Sequence, residues 1–224
     1  MNIGGFVKNS FVDYPGNIAA VIFTVGCNMK CWYCHNKHLL GYSNKEAELE
    51  ILDFLSSHSG FLDGVVISGG EPTLQPDLKD FIKKIRGFGL KIKLDTNGTN
   101  FDILKDLIDN KLIGYVAMDI KAPLDKYEMI TKTKDDMISI HNCIDLLLSD
   151  VVDYEFRTTY SPDLTNEDIE ELCKSIKGAK RYAIQKYRIP EGEQVVMMQR
   201  KSSDHDEAKI IAEKYVKSVI LRGM

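Results

Sequence analysis

The chain lacks long apolar runs and has only 6 prolines and 1 tryptophan in 224 residues. No stretch reaches the roughly 18 uninterrupted apolar residues that a membrane-spanning helix needs. The first residues, MNIGGFVKNS, lack the apolar segment of a secretory signal peptide. The sequence therefore predicts a cytoplasmic protein with no membrane partner.

The chain also lacks an excess of basic residues. It has 29 Lys and Arg against 33 Asp and Glu, a formal net charge of −4, which predicts no nucleic-acid partner. No internal repeat, low-complexity tract or Pro/Gly-rich linker divides it. We therefore expect a single domain over residues 1–224, with a core at about 16–188 and a closing segment at about 189–224.

Cysteine is scarce, but three of the five cysteines form the motif Cys27-x3-Cys31-x2-Cys34. Such clustering indicates a metal centre in a reducing compartment and not a disulfide framework. Closely spaced thiolates select zinc or iron–sulfur clusters. Three ligands leave one position of a four-site centre open for chemistry. Cys143 and Cys173 lie on predicted helices and are interpreted as small buried hydrophobes.

A structural zinc site is one alternative, because His35 follows the third cysteine and would complete a Cys3His ligand set. Adjacent ligands at positions 34 and 35 suit one tetrahedral ion poorly, because consecutive side chains diverge. A cubane iron–sulfur cluster held by three cysteines fits the spacing better and leaves its fourth iron free.

Six short apolar runs rich in β-branched residues alternate with segments whose apolar residues recur every three or four positions. The runs are Ile18–Val25, Val65–Ser68, Lys91–Asp95, Tyr115–Ile120, Tyr154–Tyr160 and Tyr182–Tyr187. This alternation predicts an α/β fold with a parallel sheet, either open and doubly wound or curled into a partial barrel. In both, the functional site lies at the carboxyl ends of the strands. The tail, Ser202–Met224, is predicted to be an amphipathic closing helix.

Polar and glycine-rich motifs lie in, at the end of or directly after every predicted strand, so we expect them at or near one rim. They are Cys27, Gly69-Gly70-Glu71-Pro72, Asp95-Thr96-Asn97-Gly98, Asp119 with Lys121, Arg157 and Gln185. A tight exit from a buried strand would explain the two glycines. Glu71, beside two residues without side chains, is well placed to receive an ammonium group.

Four of these rim residues are acids or bases on or directly after predicted strands, where a charge needs a partner. Asp95 needs a lysine, a bound cation or a ligand. Asp119 and Lys121 are two apart and share a face, which predicts either a buried ion pair or a ligand contact. Arg157 could pair with Glu155 or bind a carboxylate ligand.

Together, the motifs resemble those of the radical S-adenosylmethionine (SAM) superfamily. The resemblance rests on the three-cysteine motif with Tyr33 before the third cysteine, and on Gly-Gly-Glu-Pro after the second strand. It narrows to the glycyl-radical-enzyme activases through Asp13-Tyr14-Pro15-Gly16, Cys34-His35-Asn36, Asp95-Thr96-Asn97-Gly98 and Met118-Asp119-Ile120-Lys121. The stretch from Gly5 to about Arg188 is most similar to the anaerobic ribonucleoside-triphosphate reductase activating proteins.

The resemblance implies a partial (β/α)6 barrel of the TIM-like type with one 4Fe–4S cluster and SAM as cofactors. Cys27, Cys31 and Cys34 would ligate three irons, and the methionine part of SAM would chelate the fourth. Gly70 and Glu71 would receive its amino group. The remaining implied SAM contacts are Tyr33, Cys34, His35, Gly69, Asn97, Asp119, Lys121, Arg157 and Gln185, with Lys121 also counted among the catalytic residues.

Three finer points follow from the same resemblance. In pyruvate formate-lyase activases, aspartates matching Asp95 and Asp119 help bind a monovalent cation, so such a cation is implied here. Those activases have a histidine where this chain has Gln185, which leaves its ribose contact open. No cysteine lies between His35 and Gly64, so only one cluster is expected.

The implied reaction is reductive cleavage of SAM to methionine and a 5′-deoxyadenosyl radical, which makes a glycyl radical on a partner. The expected partners are a glycyl radical enzyme, the anaerobic ribonucleotide reductase, and a flavodoxin or ferredoxin as electron donor. Two alternatives are a small-molecule enzyme similar to 7-carboxy-7-deazaguanine synthase and a non-catalytic zinc or iron–sulfur module.

Overall fold

A computed structural model describes residues 1–41, 48–134, 136–189 and 202–223. Its centre is one eight-stranded sheet in which the strands neighbour each other in chain order. Strand β1 is antiparallel to β2, and β2 to β8 run parallel. The strands are β1 Ile3–Ser10, β2 Ala19–Thr24, β3 Gly64–Gly69, β4 Lys91–Thr96, β5 Tyr115–Asp119, β6 Asp153–Tyr160, β7 Tyr182–Lys186 and β8 Val219–Arg222.

Helices follow the parallel strands and cover one face of the sheet. They are α1 Glu48–Ser57, α2 Leu78–Gly87, α3 Phe101–Asp109, α4 Tyr127–Thr131, α5 Met137–Leu148, α6 Asn166–Ser175 and α7 Ser202–Ala212. Thr165 begins α6 with a capping box, in which its hydroxyl accepts from the Asp168 N–H while the Asp168 carboxylate accepts from the Thr165 N–H. Among the described residues, no helix is long and apolar enough to cross a lipid bilayer.

The two faces of the sheet have different chemistry, because successive strand residues point to opposite sides. The helix-covered face contains the large apolar core, with Ile22, Ile67 and Leu94 fully buried in it. The opposite, concave face is apolar only at its lower end, where Tyr14 packs against Tyr115 with ring centroids 5.9 Å apart. Because these two rings fill the lower end, the concave face is open and polar at the carboxyl ends of the strands.

The predicted α/β barrel-type fold is confirmed, and all six predicted strands are present as β2 to β7. Two strands were not predicted. Strand β1 pairs with the first predicted strand, and β8 extends the sheet beyond the sixth.

The prediction of a helix through the whole tail is wrong. Helix α7 ends at Ala212 and residues Val219–Arg222 form β8 against β7. Tyr215 and Val219 fit a helical spacing from α7, but Val219 begins an apolar run that completes the sheet.

Strand β8 also brings a basic residue to the concave face. Arg222 donates two hydrogen bonds of 2.7 Å to the carboxylate of Glu155, whose side chain is 1% exposed. Arg157 therefore does not pair with Glu155, as one reading of the sequence suggested. The guanidinium of Arg157 turns toward the rim instead.

Candidate active site

The carboxyl ends of β2 to β7 surround one cleft of about 970 Å³, a volume that includes its open mouth. Every site residue predicted from the sequence lines it. These are Cys27, Cys31, Tyr33, Cys34, His35, Gly69, Gly70, Glu71, Asp95, Asn97, Asp119, Lys121, Arg157 and Gln185. A position in the cleft does not by itself show what a residue does, so the role of each of these residues stays a prediction.

The three clustered cysteines enter the cleft from the loop after β2. Gly26 begins this loop with φ +93°, and its N–H donates to the Leu39 carbonyl at 2.7 Å. The Lys30 N–H donates to the Thr131 carbonyl at 2.8 Å, which fixes the middle of the loop to the end of α4. The loop is therefore held at both sides while its thiols face the cleft.

The three cysteines of this loop form no disulfide, and cysteine thiolates are the usual ligands of iron–sulfur clusters. Burial raises the pKa of the Cys27 thiol to about 11, so metal binding must displace its proton. In the described part of the chain, no three Cys, His, Asp or Glu side chains surround a point suited to one metal ion. A cluster, with one thiolate on each iron, spaces its ligands more widely than a single zinc ion, so the donor set fits the cluster better.

The turn after β3, which contains Gly69 and Gly70 (the glycine turn), packs directly against the loop that carries the three clustered cysteines (the cysteine loop). The Glu71 N–H donates to the Gly26 carbonyl at 2.8 Å, and the Gly70 N–H donates to the Thr24 carbonyl at 2.9 Å. Gly69 has φ +119°, a conformation that side chains disfavour. The two glycines therefore serve a close backbone contact that joins β2 and β3 at the rim.

Glu71 forms one wall of the cleft and is 1% exposed. Its carboxylate accepts four hydrogen bonds from neutral donors: the Thr73 N–H and hydroxyl at 3.1 and 2.6 Å, the Thr96 hydroxyl at 2.8 Å and the Asn97 N–H at 2.7 Å. Burial raises the pKa of Glu71, and the hydrogen bonds oppose that shift. Within the described ranges, no basic side chain forms an ion pair with it. The carboxylate therefore lacks a positive partner.

Another wall of the cleft carries an ion-pair network that Arg157 joins together. Arg157 donates from Nη1 to Asp95 Oδ2 at 3.0 Å and from Nε to Asp119 Oδ1 at 2.7 Å. Lys121 Nζ donates to Asp119 Oδ2 at 2.9 Å, and this pair, which strand alternation indicated, is half-buried. Burial disfavours the charged forms, but the neighbouring charges outweigh it. They hold the pKa of Asp119 below its usual range and that of Lys121 well above it.

Asn97 and Tyr33 complete the polar surface around the cysteines. Asn97 Nδ2 donates to Asn28 Oδ1 at 2.9 Å, which links the turn after β4 to the cysteine loop. The Tyr33 side chain is 4% exposed. Its hydroxyl has no hydrogen-bond partner among the described residues. Gln185 lines the far side of the cleft from β7.

The sequence analysis missed Lys93, which lies beneath this site. Its side chain is 2% exposed, and its Nζ forms an ion pair with Asp95 Oδ1. Ser68, also missed, donates from its hydroxyl to Asp95 Oδ2 at 3.0 Å. The signal for Lys93 was available, because residues two apart on a strand share a face.

The radical SAM superfamily pattern matches residues 21–176 of this chain. A protein of Methanocaldococcus jannaschii, named for glycyl-radical enzyme activation, is 40% identical over 98% of this chain and 95% of its own length. The pyruvate formate-lyase-activating enzyme of Clostridium pasteurianum is 36% identical over 54% of this chain and 52% of that enzyme.

Among solved structures, SuiB of Streptococcus suis bound to S-adenosylmethionine matches with a TM-score of 0.72 at 16% identity. The match covers 91% of this chain and 50% of SuiB, so the chain spans about half the length of that protein. Likeness at this identity shows the fold. The superfamily pattern and the 40% identity over nearly the whole chain show the family: the chain belongs to the radical SAM superfamily and, within it, to the glycyl-radical-enzyme activating enzymes.

Proposed function

We propose that this chain cleaves SAM reductively and uses the resulting radical to generate a glycyl radical on an anaerobic ribonucleoside-triphosphate reductase. The observation that carries the SAM part is the pair of oppositely charged walls beside three cysteines in one cleft. The family supports a protein substrate. The identity of the reductase rests on the sequence motifs named above.

The two charged walls of the cleft, Glu71 and the ion-pair network around Arg157, match the ammonium and carboxylate ends of an amino acid. Glu71 is a buried carboxylate without a cationic partner in the described ranges, so an ammonium group placed beside it would supply the missing charge. On the wall that carries Arg157, the cations outnumber the carboxylates, three to two. They are Lys93, Lys121 and Arg157, against Asp95 and Asp119. A ligand carboxylate would therefore be attracted to that side, which orients the methionine part of SAM.

Cys27, Cys31 and Cys34 would each hold one iron of a 4Fe–4S cluster. A bound cluster would supply the single electron that reductive cleavage of SAM to methionine and a 5′-deoxyadenosyl radical requires. The chain's own residues position the ligand and exclude water. Tyr33 closes the inner side of the cleft, while His35 lies at its exposed mouth, where a glycine loop of the partner would enter.

The electron donor, the cellular location and Gln185 complete the proposal. We propose that a flavodoxin or a ferredoxin donates the electron, because each of these proteins carries single electrons. A cluster held by cysteine thiolates requires a reducing compartment, so the cytoplasm is the proposed location. Gln185 is assigned to the ribose of SAM because it lines the same cleft from β7.

The test mixes the anaerobically reconstituted protein with dithionite, SAM and a purified anaerobic ribonucleotide reductase. We expect 5′-deoxyadenosine by chromatography and a glycyl doublet by electron paramagnetic resonance on the reductase. The doublet should be absent when the target glycine of the reductase is replaced by alanine. Formation of 5′-deoxyadenosine without any doublet would refute the proposed partner and favour a small-molecule substrate. A protein that cleaves no SAM would refute the proposal as a whole.

Glu71→Gln is expected to weaken SAM binding by about tenfold or more, because the ammonium group loses its only buried counter-charge. The glutamine amide would also direct an N–H toward either the Asn97 N–H or the Thr73 and Thr96 donors. The measurement is equilibrium dialysis of SAM against the reconstituted variant. Glu50→Gln, an exposed change on α1, is the matched control and should bind like wild type. Equal affinity in both variants would show that Glu71 does not face the ammonium group.

A further inference from the structure

Lys93 is a buried lysine that the proposed reaction does not use. It lies on β4 two residues before Asp95, is 2% exposed and forms an ion pair with Asp95 Oδ1. Its Nζ also lies 6.0 Å from the centre of the Tyr115 ring. Taking a lysine out of water is costly unless its charge is paired. The burial of Lys93 must therefore be explained by the ion-pair network to which Asp95 belongs.

Every carboxylate oxygen of this network already accepts a hydrogen bond from the protein. Asp95 Oδ1 accepts from Lys93, and Asp95 Oδ2 accepts from Ser68 and Arg157. Asp119 Oδ1 accepts from Arg157, and Asp119 Oδ2 accepts from Lys121. Each of the four oxygens accepts from a cationic side chain, so a metal cation that used its second lone pair would lie beside a like charge.

The charge balance also opposes an added cation. Three side-chain cations face two carboxylates, so the network already has a net charge of +1. A potassium or sodium ion would raise that charge, whereas the carboxylate of SAM would neutralise it. The residues present therefore do not fit the monovalent cation that the family resemblance assigns to Asp95 and Asp119.

We propose that Lys93 replaces this monovalent cation, so that SAM binding to the chain needs no added potassium or sodium. The inference rests on the proposed function, because it concerns the carboxylate wall of the same SAM site. Lys93 acts through Asp95, which it and Ser68 hold against Arg157, and it is therefore a positioning residue. A covalently attached ammonium group also avoids the entropy cost of binding an ion from solution.

The test measures the dissociation constant for SAM by anaerobic equilibrium dialysis of the reconstituted protein, without turnover. Wild type is compared in tetramethylammonium chloride and in potassium chloride of equal ionic strength. We expect affinities that agree within about twofold, since both salts screen charges equally. Binding that requires potassium would overturn the proposal, even if Lys93 variants fail to fold.

Lys93→Met removes the charge but keeps much of the side-chain length. It is expected to bind SAM about tenfold more weakly in tetramethylammonium and to recover in potassium, which can then enter beside Asp95. Lys91→Met is the matched control, because Lys91 is an exposed residue of the same strand that pairs only with Asn17 at 2.9 Å in the described ranges.

The outcomes separate this inference from the proposed function. A Lys93→Met variant with unchanged affinity in both salts would overturn the role of Lys93. Absence of SAM binding by wild type in either salt would instead refute the SAM site itself. Potassium-dependent recovery confined to Lys93→Met supports the replacement of the cation by the lysine.

Discussion

Replacing Cys31 by alanine is expected to remove 5′-deoxyadenosine formation, a loss of at least about a thousandfold. The motif supplies three thiols, and the proposed cluster needs one for each of three irons. Cys31 is 8% exposed and is the most deeply buried of the three. Within the described residues, no other cysteine lines the cleft, so no other thiolate there can take its place.

The measurement combines iron content, the visible absorbance of the reconstituted protein and 5′-deoxyadenosine yield with dithionite and SAM. Cys173→Ala is the matched control. Cys173 is fully buried on α6, and burial raises the pKa of its thiol to about 12, as expected for an inert core cysteine. This control should keep its iron and activity and lose about 1 kcal/mol of stability from the small cavity.

A Cys31→Ala protein with full iron and normal SAM cleavage would contradict the assignment of all three cysteines. The alternative of a structural zinc site predicts a different result. In that case wild type would be colourless, contain one zinc and cleave no SAM, and the variant would lose stability instead of activity.

The strand pattern predicted most of the site because chemistry and topology coincide in this fold. Parallel strands place their carboxyl ends together, so residues that end different strands must meet. Cys27, Glu71, Asp119 and Arg157 are far apart in sequence, yet all line the cleft. The placement follows from alternation alone, without knowledge of any long-range contact.

What the pattern could not predict is which charges pair with which. Arg157 stands two residues from Glu155 and was a natural partner for it by spacing. In the fold, Glu155 pairs instead with Arg222, and Arg157 reaches Asp119 on the adjacent β5 and Asp95 on β4. The partner of Glu155 is decided by β8, whose register against β7 was hidden in a tail with helical spacing.

The hydrogen-bond donors to Glu71 also could not be predicted from the sequence. The sequence indicated an acid ready for an ammonium group, but it gave no sign that Thr73, Thr96 and the Asn97 backbone already hold this carboxylate. Those donors come from two different turns and meet only after β3 and β4 pair. Glu71 therefore braces two rim loops as well as facing the cleft.

Gly70→Ala is expected to destabilise the fold by about 3 kcal/mol or more, the upper range for a clash that packing cannot absorb. A Cβ at position 70 would lie 2.0 Å from the Gly26 carbonyl oxygen and 2.6 Å from its carbon. Both atoms belong to the backbone, so no side-chain rotation relieves the contact. The methyl group must push the cysteine loop away from the turn.

This displacement should also reduce iron binding, because Cys27 directly follows Gly26 and shares its backbone. Urea denaturation of the unreconstituted protein measures the stability loss, and iron content after reconstitution measures the loop. Gly87→Ala is the matched control, since its added Cβ would meet no atom within 4 Å beyond the backbone of its own helix and its chain neighbours, and it ends helix α2. That change should shift stability by no more than about 1 kcal/mol, in the stabilising direction.

The comparison of the two readouts separates a general folding defect from a defect at the cysteines. If Gly70→Ala keeps wild-type stability and a full complement of iron, the contact between the glycine turn and the cysteine loop is not part of the folded protein. If stability falls and iron falls further than the folded fraction predicts, the turn after β3 positions the cysteine loop. The two glycines then belong to the metal site by geometry, although neither supplies a ligand.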